Sequence, residues 1–270
     1  MKYIEIRIHN IPAVQQDILA FLLAEVGFES FAQDGAELQA YIPASLYDRN
    51  NLIQIFKEHP FDYTEVIIPD QNWNEEWERN FSPVEIAGKC FVRAPFHNSR
   101  PGYQYEIIVE PKMSFGTAHH ETTSQMIELM LDMDFVGKRV LDMGCGTGIL
   151  SVLADKMGAL SVLAIDNDNW AYNNSMENIE KNSSSHITVK LGEIGDVPGD
   201  FNIILANINR NILLDQIPYY SNMLNPGGNL LMSGFYEEDL SRIRECALVN
   251  NLYFEISIMK NRWIAAKFVK

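Results

Sequence analysis

The spacing of apolar residues divides the chain into two regions that favour different folds. Over residues 1–70, apolar positions alternate in some stretches and follow a helical period in others, which predicts the element order β-α-β-β-α-β. This order is typical of a small ferredoxin-like α+β sandwich. The predicted strands are 3–9, 28–32, 38–42 and 63–68, and the predicted helices are 14–26 and 46–56.

Beyond about residue 112, apolar strands alternate with helical segments. This alternation predicts a parallel sheet covered by helices, with strands at 139–141, 161–165, 187–191, 201–206 and 229–233. The last two predicted strands, 252–259 and 263–269, are separated only by residues 260–262. Because so short a turn cannot contain a crossover helix, these two strands are predicted to form an antiparallel hairpin.

Residues 71–82 separate the two regions and are predicted to form a linker helix. They are acidic and aromatic, lack an apolar face, and place Trp73 and Trp77 one helical turn apart. The predicted organisation is therefore a domain at 1–70, the linker helix at 71–82, and a domain at 83–270 that begins with a lead-in hairpin. Because the first domain contains no cluster of catalytic residue types, we expect an interaction module, with a purely structural role as the alternative.

A glycine-rich turn follows the predicted strand at 139–141 and indicates a nucleoside site. Residues 140–148 read VLDMGCGTG, and Asp166 ends the next predicted strand. Gly144 and Gly146 let the backbone approach a ligand without an intervening Cβ. The carboxylate of Asp166 is placed to accept hydrogen bonds from both ribose hydroxyls. A glycine turn that binds nothing is the alternative.

The spacing of the glycines favours S-adenosylmethionine over a dinucleotide. The dinucleotide pattern Gly-x-Gly-x-x-Gly requires a third glycine where this chain has Ile149. Asp142 also lies at the strand end, where its charge would repel a pyrophosphate and suit a cationic ligand. The sulfonium and ammonium groups of S-adenosylmethionine fit that requirement, and a nicotinamide dinucleotide is the rival.

The segment 114–123, SFGTAHHETT, precedes a predicted helix at 124–131. Threonine hydroxyls and free amides at a helix N-terminus can hold a carboxylate, such as the one at the methionine end of S-adenosylmethionine. A metal site formed by His119, His120 and Glu121 is a rival, but three adjacent residues on a regular element cannot all point at one ion. We therefore expect no metal. A polar helix cap is the other alternative.

Asn207 follows the apolar strand 201–206 and is the candidate catalytic residue. It is expected at the carboxyl edge of the sheet, where ligands of α/β proteins bind. Methyl transfer to an amine requires the neutral amine, aligned in line with the sulfur–methyl bond. An Asn oxygen and nearby carbonyls can accept the amine hydrogens and aim the lone pair. A turn residue at a strand end is the alternative.

Composition restricts the partners and the compartment. The formal net charge is -15 and the isoelectric point is about 4.8, so direct nucleic-acid binding is not expected. The acidity suits a basic protein partner, and solubility alone is the alternative explanation. Three scattered cysteines favour a reducing, cytoplasmic environment. No apolar run approaches 18 residues, so no membrane span is predicted.

Several stretches together resemble the PrmA family of ribosomal protein L11 methyltransferases, which have the class I (Rossmann-like) fold. These stretches are NWNEEWERNFSPVEI, FGTAHHETT, VLDMGCGTGIL, AIDND, ILANI and NPGG. The resemblance implies a cytoplasmic enzyme that methylates lysine side-chain and N-terminal amines of ribosomal protein L11, with S-adenosylhomocysteine as product. It also implies that the N-terminal domain recognises that protein and that the linker lets the catalytic domain swing between targets. A monomer is the simplest expectation for the oligomeric state.

The resemblance also assigns site residues. It implies that Thr123, Gly144, Asp166 and Asn207 contact S-adenosylmethionine, with Thr117 near its methionine end.

The chain departs from the family pattern in two places. Ala118 stands where the family usually has glycine, which is expected to stiffen the loop. Arg210 would disfavour a cationic lysine electrostatically unless it points away from the amine pocket. The alternatives are a methyltransferase for another protein, a small amine or RNA, and a non-catalytic protein that senses the cofactor.

Overall fold

The computed structural model describes residues 3–68, 81–112, 115–197 and 199–270. The chain forms two compact units, Met1–Asn80 and Phe81–Lys270. The division falls within the predicted linker at 71–82. Because residues 71–80 lie outside the described residues, the linker helix stays a prediction.

The first unit is a four-stranded antiparallel sheet with two helices, in the predicted β-α-β-β-α-β order. The sheet order is β2-β3-β1-β4, so each β-α-β unit has another strand between its two strands. One face of the sheet and the helices bury a core that includes Ile6, Ile8, Leu19, Leu38 and Leu52. The elements are β1 (Tyr3–Ile8), α1 (Ala13–Glu25), β2 (Ser30–Asp34), β3 (Glu37–Pro43), α2 (Arg49–Glu58) and β4 (Tyr63–Ile68).

Helix α2 begins three residues later than the apolar pattern predicted. The Asp48 side chain accepts a hydrogen bond from the Asn50 amide at 2.9 Å. This bond satisfies one of the free amides of the first helical turn and fixes the helix start. Apolar spacing alone includes Leu46, which is exposed and lies outside the helix.

The second unit begins with a small three-stranded sheet. Strands β5 (Val84–Ile86) and β6 (Cys90–Arg93) form the hairpin expected for 83–111. Strand β7 (Tyr105–Ile108) pairs with β6 in the parallel direction. The chain then continues towards the loop that borders the candidate site.

The main sheet has seven strands in the order β10-β9-β8-β11-β12-β14-β13. Strands β8 to β12 are parallel, whereas β14 is antiparallel to both β12 and β13. The predicted parallel sheet with a terminal antiparallel hairpin is thus confirmed. The strands are β8 (Arg139–Met143), β9 (Ser161–Asp166), β10 (Ile187–Leu191), β11 (Phe201–Asn207), β12 (Leu224–Tyr236), β13 (Tyr253–Lys260) and β14 (Trp263–Val269).

Helices cover both faces of the main sheet. Because side chains alternate along a strand, Val140 packs towards helices α3, α4 and α5, and Leu141 packs towards α6 and α7. The central strands β8 and β11 are therefore apolar at consecutive positions, as expected where a sheet is buried on both faces, whereas the edge strands β10 and β13 are largely exposed. The helices are α3 (Glu121–Leu131), α4 (Ile149–Lys156), α5 (Asn169–Lys181), α6 (Arg210–Met223) and α7 (Leu240–Val249).

Candidate functional site

Three neighbouring strands end at one edge of the main sheet and border a cleft. Gly144 follows β8, Asp166 ends β9, and Asn207 ends β11. Strand β8 lies between the other two. The chain crosses from β8 to β9 and β10 on one side and then returns to β11 on the other side. Ligands of α/β proteins bind where the strand order reverses in this way. The cleft contains a cavity of about 540 Å³. Its lining residues are Phe115, His120, Thr122, Gly144, Gly146, Asp166, Asn167, Asp168, Ala171, Asn207, Ile208, Asn209, Ile212, Gly234 and Trp263.

A smaller chamber of about 240 Å³ adjoins this cavity and shares Gly144, Asp166 and Ile208 with it. Met143, Ile194 and Ile212 give the chamber apolar walls. Asp166, Asn167, Glu193 and Gln216 also line the chamber, so both parts of the cleft combine apolar walls with polar groups.

The glycine turn is held against the end of β9 by its own backbone. The amides of Gly144 and Cys145 donate to the Ile165 carbonyl at 2.8 and 3.0 Å. Gly144 has φ +70°, and a Cβ there would lie 2.3 Å from Cγ2 of Ile208. A Cβ on Gly146, which has φ +55°, would lie 2.4 Å from the Phe115 carbonyl oxygen. Both positions therefore require glycine for backbone conformation and for close packing.

Asp166 organises the neighbouring backbone while its carboxylate lines the cleft. One oxygen accepts from the Gly146 amide at 2.9 Å, and the other accepts from the Asp168 amide at 3.0 Å. Each carboxylate oxygen has further lone-pair capacity, so the group can still accept hydrogen bonds from a ligand. The predicted position of Asp166 at the strand end is confirmed.

Asp142 does not line either cavity, contrary to the expectation of direct ligand contact. Its side chain is 1% exposed, and one oxygen accepts from the Ser151 hydroxyl at 2.6 Å and from the Ser151 amide at 3.1 Å. Burial raises the pKa of Asp142 to about 6, the Ser151 hydrogen bonds oppose that rise, and the charge of Asp166 adds to it. Asp142 thus supports the first turn of α4 from inside the core.

The loop at 115–120 is attached to the glycine turn through Thr147. The Thr147 amide donates to the Phe115 carbonyl at 3.0 Å, and its hydroxyl donates to the Gly116 carbonyl at 2.5 Å. Ala118 in this loop has φ +67°, a conformation that favours glycine. The departure at Ala118 therefore places a side chain where the backbone would suit the usual glycine of the family.

The three candidate metal-binding side chains of this loop diverge to different partners. His119 donates from Nε2 to the Ser82 carbonyl at 2.8 Å. Nδ1 of His120 lies 2.8 Å from the Thr122 hydroxyl, and Glu121 accepts from Asn261 at 2.7 Å. Within the described ranges, no group of three His, Cys, Asp or Glu residues is arranged to hold a metal ion.

Thr117 is also engaged within the loop. Because His119 carries its proton on Nε2, its Nδ1 accepts from the Thr117 hydroxyl, 3.1 Å away. Thr117 does not line either cavity. No direct contact of Thr117 with either cavity supports its predicted place near the methionine end of a cofactor.

The start of helix α3 decides which threonine faces the cleft. The structure starts this helix at Glu121 rather than 124, with His120 as its N-cap. Thr122 then lines the cavity although it is only 1% exposed, whereas Thr123 is fully buried and lines neither cavity. Thr123 instead accepts from Nδ2 of Asn207 at 3.2 Å, so it reaches the cleft through Asn207.

Asn207 presents an unpaired acceptor at this point. Its Oδ1 is buried and has no hydrogen-bond partner among the described residues, while its Nδ2 is occupied by Thr123. Buried polar atoms are normally paired, so a free carbonyl oxygen at a cleft indicates a place for a ligand donor. Asn207 is therefore at the predicted strand end, and its role in orienting an amine stays a prediction.

No sequence pattern predicted the aromatic wall of the cleft. The His120 ring lies 4.8 Å from the ring of Trp263 and 5.2 Å from that of Phe115. Trp263 also lies 4.0 Å from the ring of Tyr236. Trp263 begins β14 and reaches the site only because β12 continues past Gly234 to pair with it, a relationship that strand patterns do not contain.

Arg210 points away from the amine pocket. Its guanidinium donates to Asp239 at 2.7 Å and to Asn211 at 3.0 and 3.1 Å. The residue does not line either cavity. The charge of Arg210 is therefore paired with Asp239 outside both cavities and gives no reason to disfavour a lysine in the cleft.

The strand order of the main sheet, with a glycine turn after β8 and an acid at the end of β9, defines a class I methyltransferase. A narrower assignment comes from the family model for ribosomal protein L11 methyltransferase (PrmA), which matches residues 8–270. The chain belongs to this family.

Individual relatives agree with this assignment. The chain is 48% identical to a ribosomal protein L11 methyltransferase of Porphyromonas gingivalis, over 93% of this chain and 90% of the relative. It is 44% identical to one of Phocaeicola vulgatus, over 100% of this chain and 99% of the relative. A solved ribosomal protein L11 methylase of Lactobacillus delbrueckii superposes with TM-score 0.66 at 28% identity, covering 70% of this chain and 98% of that one.

Within the ranges that the structure describes, no helix has the length and apolar character needed to cross a bilayer.

Proposed function

We propose that this chain transfers methyl groups from S-adenosylmethionine to lysine side-chain and N-terminal amines of ribosomal protein L11. The observation that carries the proposal is the buried, unpaired Oδ1 of Asn207, a residue that lines the same cavity as Gly144 and Asp166. It provides one acceptor for an amine hydrogen beside a nucleoside site. Family membership makes S-adenosylmethionine the methyl donor.

The residues of the cleft fit this donor. The carboxylate of Asp166 has lone pairs for the ribose hydroxyls, and the turn at Gly144 and Gly146 lets the ligand approach the backbone. The smaller chamber, with Met143 and Ile194, suits an adenine ring because its walls are apolar. At the other end, the Thr122 side chain and the first turn of α3 suit a carboxylate.

The bound donor supplies a methyl group made electrophilic by a sulfonium. Oδ1 of Asn207 accepts one hydrogen of the incoming neutral amine and directs its lone pair along the cleft. The nitrogen lone pair forms the new N–C bond while the electrons of the S–C bond stay on sulfur, which leaves S-adenosylhomocysteine. The ammonium product then loses a proton to solvent. Because Asn207 only orients the amine, no strong base is required.

The remaining assignments belong to the same proposal. The domain at 1–70 recognises the substrate protein, the linker at 71–82 joins it to the catalytic domain at 83–270, and the enzyme works as a cytoplasmic monomer. The acidity of the chain supports a basic protein substrate and opposes direct nucleic-acid binding.

The test is intact-mass spectrometry of unmethylated ribosomal protein L11 incubated with the protein and S-adenosylmethionine. Mass steps of about 14 Da, one CH₂ each, are expected, and peptide mapping would place them on lysine or N-terminal amines. Asn207→Ala should lower kcat on the order of 10²-fold because the amine loses its orienting acceptor. Asn202→Ala, at the opposite end of β11, is the control and should leave kcat unchanged. No mass change with confirmed cofactor binding would exclude this substrate.

A further inference from the structure

We infer that the surface formed by helices α1 and α2 of the first unit docks an apolar side chain flanked by basic residues of the protein substrate. This inference rests on the proposed function and specifies where the substrate is recognised. The surface, named here the α1–α2 groove, is lined by three apolar residues, Leu22, Val26 and Ile55, and by five polar ones, Glu25, Asn51, Gln54, Glu58 and His59.

Helix α1 carries apolar residues on its outer side as well as on its inner side. Leu19 and Leu23 are buried in the core of the unit, as an amphipathic helix requires. On the opposite side, Ile18 is 49% exposed and Phe21 is 65% exposed, one helical turn apart. Neither belongs to the core of this unit. Adjacent exposed apolar side chains of this size on a helix mark an interaction surface.

The groove beside this stripe provides a receptor for a side chain. It contains a cavity of about 280 Å³ between α1 and α2, with Leu22, Val26 and Ile55 as its apolar walls. Glu25 and Glu58 lie at the same cavity. An apolar centre with a charged rim is the usual anatomy of a protein–protein interface.

The charges select the occupant. Neither Glu25 nor Glu58 forms an ion pair with any residue in the described part of the chain. Among residues 3–68, ten are Asp or Glu and three are Lys or Arg. Two of these three are paired with acids of the sheet, Arg7 with Glu5 on β1 and Arg49 with Glu65 on β4. The unit therefore presents unneutralised negative charge around its apolar groove.

This charge favours a basic protein over the other occupants. A protein that lives on ribosomal RNA must carry Lys and Arg to neutralise phosphates, so its exposed segments complement Glu25 and Glu58. A second copy of this chain would place acid against acid, and a nucleic acid or an anionic membrane would be repelled. Electrostatic attraction also increases the association rate at low ionic strength.

The test compares two groove variants of the full-length enzyme with matched controls. Phe21→Ala removes the exposed anchor, and Glu25→Lys combined with Glu58→Lys reverses the rim charge. Both should raise KM for ribosomal protein L11 at least tenfold while kcat and the Kd for S-adenosylmethionine stay unchanged. The controls are Ile67→Ala, which removes a 70% exposed apolar residue of β4, and Asp34→Lys on the β2–β3 turn. They should leave KM unchanged.

The result has distinct outcomes for this inference and for the proposed function. If the unaltered enzyme methylates ribosomal protein L11 and the groove variants keep its KM, the α1–α2 groove is not the docking surface. Equal effects of the groove variants and the controls would also overturn the inference, as would a shift from dimer to monomer in sedimentation of Phe21→Ala. If the unaltered enzyme does not methylate this protein, the proposed function fails instead.

Discussion

Nδ2 of Asn207 donates to Oγ1 of Thr123 at 3.2 Å, and this bond fixes which end of the amide is free. Thr123 is fully buried on α3, and Asn207 ends β11, so the bond joins a helix and a strand on two sides of the cleft. With its nitrogen engaged, the amide keeps Oδ1 as an unpaired acceptor. We therefore expect Thr123 to position the amine-orienting oxygen, and the direct cofactor contact that the family resemblance implies stays a prediction.

Thr123→Val tests this relationship. Valine has the shape of threonine but cannot accept the Asn207 hydrogen bond, so the amide loses about 0.5–1.5 kcal/mol of orienting interaction. We expect kcat to fall several-fold with little change in the Kd for S-adenosylmethionine measured by calorimetry. Thr123→Ser retains the acceptor and should restore kcat. A loss of cofactor affinity with unchanged kcat would instead make Thr123 a direct cofactor contact.

Asp166→Ala should weaken cofactor binding. The variant loses charged hydrogen bonds to the ligand and also leaves the Gly146 amide without its 2.9 Å acceptor. We expect a loss of about 1.5–3 kcal/mol in binding free energy, measured by calorimetry. Asp166→Asn keeps one carbonyl acceptor and should lose less. Unchanged affinity in Asp166→Ala would remove this residue from the binding site.

Gly234 provides the space in which the segment after Asn207 lies. It has φ +97° at an irregularity in the pairing of β12 with β14, and a Cβ there would lie 2.1 Å from the Ile208 carbonyl oxygen. Gly234→Ala must therefore displace the segment at 207–209, which lines the cleft. Beyond the backbone strain, we expect a further loss of about 1–3 kcal/mol of stability from overpacking, together with a lower kcat.

Gly227→Ala is the matched control for Gly234→Ala. Gly227 has φ +75°, but a Cβ there meets nothing within 4 Å. This variant should lose only the strain of a left-handed backbone, about 1–2 kcal/mol, and keep its kcat. Chemical denaturation and steady-state kinetics on both variants separate strain from displacement. Equal kcat values for the two variants would show that the position of Ile208 does not depend on the absence of a side chain at Gly234.

The sequence predicted the order of strands and helices along the chain and the three residues at the carboxyl ends of β8, β9 and β11. Both depend on local periodicity and turn chemistry. Gly144, Asp166 and Asn207 all lie where the pattern placed them. Which of Thr122 and Thr123 faces the cleft depends on where helix α3 begins, and the cap at His120 sets that start. A pattern that starts the helix at 124 leaves both threonines outside the helix and cannot predict which one faces the cleft.

Long-range pairing accounts for the other differences between expectation and structure. Trp263 reaches the cleft through the register of β14 on β12, and no local signal encodes that register. In the sequence, Asp142 comes directly after apolar strand residues, which is also the position of an acid that faces a ligand. Its burial follows from Ser151, on the helix that comes after the glycine turn.

Asp142 is a buried acid whose charge opposes folding at neutral pH. Its folded-state pKa of about 6 lies above the value of about 3.9 for an unfolded Asp. The folded chain therefore binds more protons than the unfolded chain between these two values. Its stability falls as pH rises through this window, and the contribution is constant below about pH 3 and above about pH 7.

Asp142→Asn should remove this pH dependence. The asparagine stays neutral, so the unfolding free energy of the variant relative to the unaltered protein should increase by about 2 kcal/mol between pH 4 and pH 7. Chemical denaturation of both proteins at closely spaced pH values measures this difference. The difference at pH 4 reports mainly the change in hydrogen bonding to Ser151, so the rise above it measures most of the cost of the charge. A difference that stays constant across this range would mean that Asp142 is ionised in the folded protein at pH 4, stabilised by its Ser151 hydrogen bonds despite its burial.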